Sequence, residues 1–113
     1  MDYNEIYSKI LSAESKTRMV TVCDNTGKIL FSKHKEGVTN LLTPEESKRS
    51  LEMAVNAWKT RSQLANKIGK GKYVLAEYEK IKRITMPLDD DHLLYITTET
   101  DADHNKILTS IMS

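Results

Sequence analysis

The chain has 113 residues, 39% of them hydrophobic and 29% charged, with four Gly, two Pro and a formal charge of +1. That length suits one domain around one core, and that balance excludes a disordered or low-complexity chain. No stretch approaches the roughly 18 consecutive apolar residues of a membrane-spanning helix, and the start Met1-Asp2-Tyr3-Asn4-Glu5 lacks the basic and apolar regions of a signal peptide, so a cytoplasmic protein without membrane insertion is expected.

Tyr3, Ile6, Tyr7, Ile10 and Leu11 recur at spacings of three and four, which places five apolar groups on one stripe of a first helix, and Asp2 and Glu5 are spaced for a capping box. Thr17 to Cys23 and Ile29 to Ser32 are β-branched and apolar runs separated by Asp24-Asn25-Thr26-Gly27. Asn and Asp tolerate left-handed backbone angles and Gly adopts them freely, so this tetrapeptide predicts a hairpin. Lys33 to Leu42 is polar, with Gly37 and Asn40, and reads as a loop.

Thr43-Pro44-Glu45-Glu46 marks the next helix: a hydroxyl at the N-cap, Pro where no N–H is needed, and Glu at the third position. Leu51, Ala54, Val55, Trp58, Ala65 and Ile68 continue one face, while Met53, Ala57 and Leu64 add a second, until Gly69 ends the pattern. The expected helix is about 25 residues, roughly 37 Å, longer than a sheet in so small a chain covers. Its second stripe needs a partner.

Lys72 to Thr98 reads as three strands, apolar on both faces at Tyr73-Val74-Leu75 and at Leu93-Leu94-Tyr95-Ile96, so both faces of the sheet should be covered. A phase slip between Ile81 and the alternating Ile84, Met86 and Leu88 predicts a turn or bulge near Glu79 to Lys82. Asp89-Asp90-Asp91 makes the next turn after Pro87. Asp101 or Asp103 starts a last helix with Ile107, Leu108, Ile111 and Met112 on one side.

Charge is unevenly spread. Lys59, Arg61, Lys67, Lys70, Lys72, Lys80, Lys82 and Arg83 face only Glu77 and Glu79 within residues 59–83, a net of +6, whereas residues 84–113 carry a net of −5. Such poles can steer a partner or be simply solvated. The smaller constellations favour plain readings. Gly69-Lys70-Gly71-Lys72 follows a helix and lacks the spacing and Ser/Thr of a P-loop. Asp89-Asp90-Asp91-His92 alternates faces and has no closing Glu, so no metal site is expected. His34, His92 and His104 fall on separate elements and build no triad. Cys23 has no disulfide partner and no cationic neighbour, which predicts a buried, inert thiol. Trp58 reads as a core or dimer anchor. No cofactor and no catalytic residue is implied.

The order helix, hairpin, long helix, three-stranded meander, helix resembles the Roadblock superfamily of profilin-like α/β regulatory domains. The residues carrying the resemblance are the first-helix stripe, the hairpin Val20 to Leu30, the long helix after Thr43 and the meander ending in Leu94-Tyr95-Ile96. The stretch Tyr78 to Leu88 also looks like that of a small group of archaeal proteins. The resemblance implies an α+β fold: a five-stranded antiparallel sheet over residues 1–113, with the long helix on one face and the two terminal helices on the other. It further implies a homodimer in which the third strand, Lys72 to Glu79, pairs edge to edge while the long helices pack side by side. On these positions the dimer contact would include Met53, Ala57, Leu64, Tyr73 and Leu75. The function implied is a non-enzymatic regulatory platform for a protein partner such as a small GTPase, with Lys59, Arg61, Lys67, Lys70, Lys72, Lys82 and Arg83 as the basic partner-binding segment. The loop from Lys33 to Leu42 is long for the family, and no Gly marks the turn between the third and fourth strands.

Two other classes compete. A PAS- or GAF-like sensor would need a ligand cavity among sheet residues that are bulky and apolar. Nucleic-acid binding through residues 59–83, helped by Tyr73 and Tyr78, is interrupted by Glu77 and Glu79.

Overall fold

The computed structural model describes residues 2–112. In chain order the elements are α1 (Tyr3–Ala13), β1 (Thr17–Asp24), β2 (Ile29–His34), α2 (Pro44–Ser62), α3 (Ala65–Ile68), β3 (Val74–Glu77), β4 (Lys82–Pro87), β5 (His92–Thr98) and α4 (His104–Met112). The strands form one sheet in the order β2-β1-β5-β4-β3, with every neighbouring pair antiparallel.

Local chemistry sets the boundaries. Asp2 caps α1 by accepting the Glu5 N–H at 3.1 Å. Thr43 and Glu46 complete a reciprocal capping box at the start of α2, each side chain taking the other's backbone N–H. In the first hairpin, Asp24 Oδ1 accepts from the Thr26 N–H, the Thr26 hydroxyl and the Lys28 N–H, and Gly27 sits at φ +89° over Glu52. The phase slip foreseen before Ile84 is the β3–β4 turn, closed by the Tyr78 N–H on the Ile81 carbonyl at 2.9 Å.

Alternation along the strands then sorts side chains to two faces. Val20, Val22, Ile84, Met86, Leu94 and Ile96 meet Tyr7 and Ile10 of α1 and Ile107 and Leu108 of α4 in one buried cluster. On the opposite face Cys23, Leu93 and Tyr95 lie beneath Leu51, Ala54 and Val55 of α2. Each fully buried aliphatic side chain contributes about 1.5–3 kcal/mol, so the larger cluster supplies most of the hydrophobic stabilisation.

Two expectations are corrected. The long helix stops at Ser62, and after the turn at Gln63 and Leu64 the chain makes only the single-turn α3. Thr60 and Ser62 hydroxyls bond back to the Asn56 and Lys59 carbonyls, competing with the helical ladder. Ile68 is consequently off the apolar stripe and 81% exposed. The third strand is also shorter than Lys72 to Glu79, because the returning chain first passes Trp58: a Cβ on Gly71 would lie 2.6 Å from the indole ring.

Candidate interaction surface

Both edges of the sheet are free of a sixth strand, but they are finished differently. In β2 the Lys35 N–H bonds inward to the Arg18 carbonyl, so alternation turns the backbone groups of Leu30, Ser32 and His34 outward. There the Tyr7 hydroxyl donates to the His34 carbonyl at 3.2 Å, a register irregularity lies at Val22 and Cys23, and Lys33 lies over the Tyr7 ring. A bulge and edge lysines are devices that discourage strand addition. In β3 the Tyr78–Ile81 bond fixes the opposite phase, leaving Leu75 and Glu77 with their backbone groups toward the free edge.

The helix α2, which packs over β1 and β5 and bonds to β4, has two sides. Ser50 and Trp58 reach the strands β4 and β5, whereas Glu52 lies over Gly27 of the first hairpin. At 3.6 residues per turn, Met53 and Ala57 therefore fall on the outer side of α2 that leans toward β3. Met53 is 72% exposed, Ala57 half-buried, and Leu64, in the turn after α2, exposed. Tyr73 is exposed just before β3, while the half-buried Leu75 side chain packs toward the α1 and α4 core and offers this edge its backbone. Of the five residues named for a dimer contact, Met53 and Ala57 thus share the outer side of α2, Leu64 and Tyr73 are exposed in the segments that follow α2 and precede β3, and Leu75 offers main chain.

A groove of about 940 Å³ runs between α2 and the β3–β4 turn, lined by Ser47, Ser50, Met53, Tyr78 and Ile81, and continues round the start of α2 to Leu41 and Ile29. Arg83 lies in its floor. Its Nη1 donates to Ser50 Oγ at 2.9 Å and to the Tyr95 hydroxyl at 3.3 Å, and its guanidinium sits 5.4 Å from the ring centroids of both Tyr78 and Tyr95. Ser50 and Tyr95 hydroxyls close the triangle at 2.7 Å. No local signal marks this network, which joins α2, β4 and β5.

The basic segment does not form one patch. Lys82 and Arg83 alternate to opposite faces, and the Lys82 ammonium, its side chain only 12% exposed, donates to the Ala102 carbonyl at 2.9 Å beside His104 Nδ1. Lys59, Arg61, Lys70 and Lys72 instead line one wall of a second cleft, of about 670 Å³, floored by Trp58, Val55 and Leu93 and faced by Asp89, Asp90 and Asp91. Trp58 is half-buried, gives its indole N–H to Thr85 Oγ1 at 3.0 Å and carries Arg61 5.3 Å from its ring. Asp89 is held below the usual carboxylate range by the Asp91 N–H and by His92, whose Nδ1 lies 2.7 Å away. Burial pushes the Cys23 thiol up to about 11, the direction of an unreactive thiol. The three histidines stand apart on β2, β5 and α4, and among the described residues no group of His, Cys, Asp and Glu is placed to hold a metal ion. No helix among them is long and apolar enough to cross a membrane.

No protein-family model and no curated protein matches the sequence. Solved structures do. The gliding protein MglB from Thermus thermophilus superposes with a TM-score of 0.76 at 15% identity, covering 95% of this chain and 78% of that one. An MglB with a tetrameric arrangement gives 0.76 at 15% identity, over 95% and 77% of the two chains. A Roadblock/LC7 domain from Streptomyces avermitilis gives 0.74 at 13% identity, over 99% and 90%. The likeness spans the whole element order, including both terminal helices and the open five-stranded sheet, and at these identities it is a likeness of shape: the chain has the Roadblock/LC7 fold.

Proposed function

We propose that the chain is a non-enzymatic interaction domain that forms a homodimer through the β3 edge and the outer side of α2, and as a dimer presents a platform to a protein partner. The observation that carries this reading is an uncapped strand edge, at Leu75 and Glu77, together with apolar surface on the outer side of α2, at the exposed Met53 and the half-buried Ala57, and at the exposed Leu64 in the turn that follows. A two-fold axis there would pair β3 with its copy and bring two α2 helices together, satisfying both surfaces with one isologous contact. That one of the similar structures is an MglB in a tetrameric arrangement supports self-association as a property of this shape. A small GTPase is the partner class that the sequence resemblance implies.

Light-scattering chromatography over a tenfold range of protein concentration and two salt concentrations tests the dimer. The native chain is expected at twice the monomer mass. Met53→Glu combined with Leu64→Glu places unpaired charge in the desolvated contact and is expected to yield the monomer mass with the fold intact, since both positions are exposed in the single chain. A native monomer overturns the homodimer; a double variant that stays dimeric assigns the contact to another face.

A further inference from the structure

We infer that the turn between α2 and β3, with Ile68 at its tip, docks the protein reversibly on the surface of an anionic lipid bilayer. Residues 59–76 contain Lys59, Arg61, Lys67, Lys70 and Lys72 and no carboxylate. None of the five takes part in an ion pair among the described residues; Lys59, Arg61, Lys70 and Lys72 border the cleft that Asp89, Asp90 and Asp91 face, and Lys67 lies outside it. In their midst Ile68 is the most exposed of the large apolar side chains described. Gly69 follows at φ +89° in open space, a left-handed conformation that turns the chain back immediately after the isoleucine and leaves it projecting.

The surroundings select the occupant. Ile68 and Lys67 do not line the cleft that Asp89, Asp90 and Asp91 border, so the tip and its nearest lysine stand apart from the acidic turn. An aliphatic tip ringed by lysines matches a headgroup layer: the ammonium groups lie at the level of the phosphates and carboxylates while the side chain enters the acyl boundary. Base stacking would call for an exposed aromatic face at the tip; Trp58 is half-buried between Arg61 and Gly71, and the exposed Tyr73 stands five residues after Ile68, just before β3. Each cation near such a surface strengthens binding about fivefold, and a single aliphatic side chain adds roughly tenfold, which makes the association reversible without any spanning segment.

Sedimentation of the full chain with vesicles tests this. Binding is expected to vesicles of phosphatidylcholine and phosphatidylserine mixed two to one, to fall as salt rises, and to be absent with phosphatidylcholine alone. Lys67→Gln, Lys70→Gln and Lys72→Gln together should weaken it about a hundredfold, and Ile68→Ser roughly tenfold. These positions are exposed, so thermal unfolding should be unchanged, and the solution mass of the triple variant should equal that of the native chain, separating this test from that of the dimer. Equal binding to both vesicle types, native affinity in either variant, or a single-stranded oligonucleotide bound more tightly than the mixed vesicles would overturn the inference.

Discussion

On the side of the sheet toward α1 and α4, ten buried side chains form one continuous cluster, whereas on the side toward α2 six do so and the remaining surface is pinned by polar contacts. Trp58 holds Thr85, Arg83 holds Ser50 and Tyr95, and Thr21 meets Ser32 at 2.9 Å. Apolar burial gains little from water's return, so the first face is a fixed foundation. Hydroxyl and guanidinium groups can be rehydrated at modest net cost, about 1 kcal/mol per hydrogen bond, so the second face tolerates an open groove and an exposed stripe. Most of the apolar burial therefore lies on one side of the five-stranded sheet, and the proposed association would use the other.

The largest effect that tests this division is cavity formation. Ile96→Ala, beneath both terminal helices and fully buried, is expected to cost about 4 kcal/mol, while Leu51→Ala at the edge of the α2 cluster should cost nearer 2 kcal/mol, because the adjoining groove lets the site relax. Urea unfolding of the two variants measures the difference; equal losses would mean that the faces contribute alike. Next in size is Gly71→Ala. Its backbone is not left-handed, so the expected penalty of about 1–3 kcal/mol comes from overpacking alone: the new Cβ meets the indole at 2.6 Å. Trp58 must shift, and its fluorescence should change even if unfolding does not.

What could be read beforehand divides along similar lines. The α1 stripe, the Asp24–Gly27 turn, the Thr43 capping box and the slip before Ile84 are signals whose partners lie within a few residues, and each element appears where those signals put it. The end of α2 is hidden because the apolar spacing continues through Ala65 and Ile68; only the hydroxyls of Thr60 and Ser62 distinguish the break. Summing charge by segment joins Lys82 to Arg83, although strand alternation already puts adjacent residues on opposite faces. The groove network could not be read at all, since Ser50, Arg83 and Tyr95 meet across 33 and 12 residues of sequence separation and carry no common pattern. Gly71 is a similar case: its need to be small is imposed by Trp58, not by its own turn.

The smallest expected effect depends on pH and sharpens the contrast between the faces. Glu14, buried at the end of α1, accepts the Asp103 N–H at 2.8 Å and the Lys16 N–H at 3.1 Å, tying α1 to the start of α4. The Asp103 bond first, then the Lys16 bond, hold its carboxyl below the ordinary glutamate value against the opposing effect of burial. A group whose pKa is lower folded than unfolded stabilises the fold above the unfolded value and loses that contribution as pH falls through the folded one. Glu14→Gln should therefore be less stable than the native chain at neutral pH, and the gap should narrow as pH drops through about 4.5 and below. Glu46 in the α2 capping box is also lowered, chiefly by the Thr43 N–H, but its carboxyl is exposed to water. Glu46→Gln should show the same sign with a smaller change, as solvent screens its charge. Denaturation of the three chains at several acidic and neutral pH values measures both gaps; a gap for Glu14→Gln that stays constant with pH would mean that the clamp acts through shape alone, and a larger one for Glu46→Gln would place the stronger electrostatic support under α2 instead.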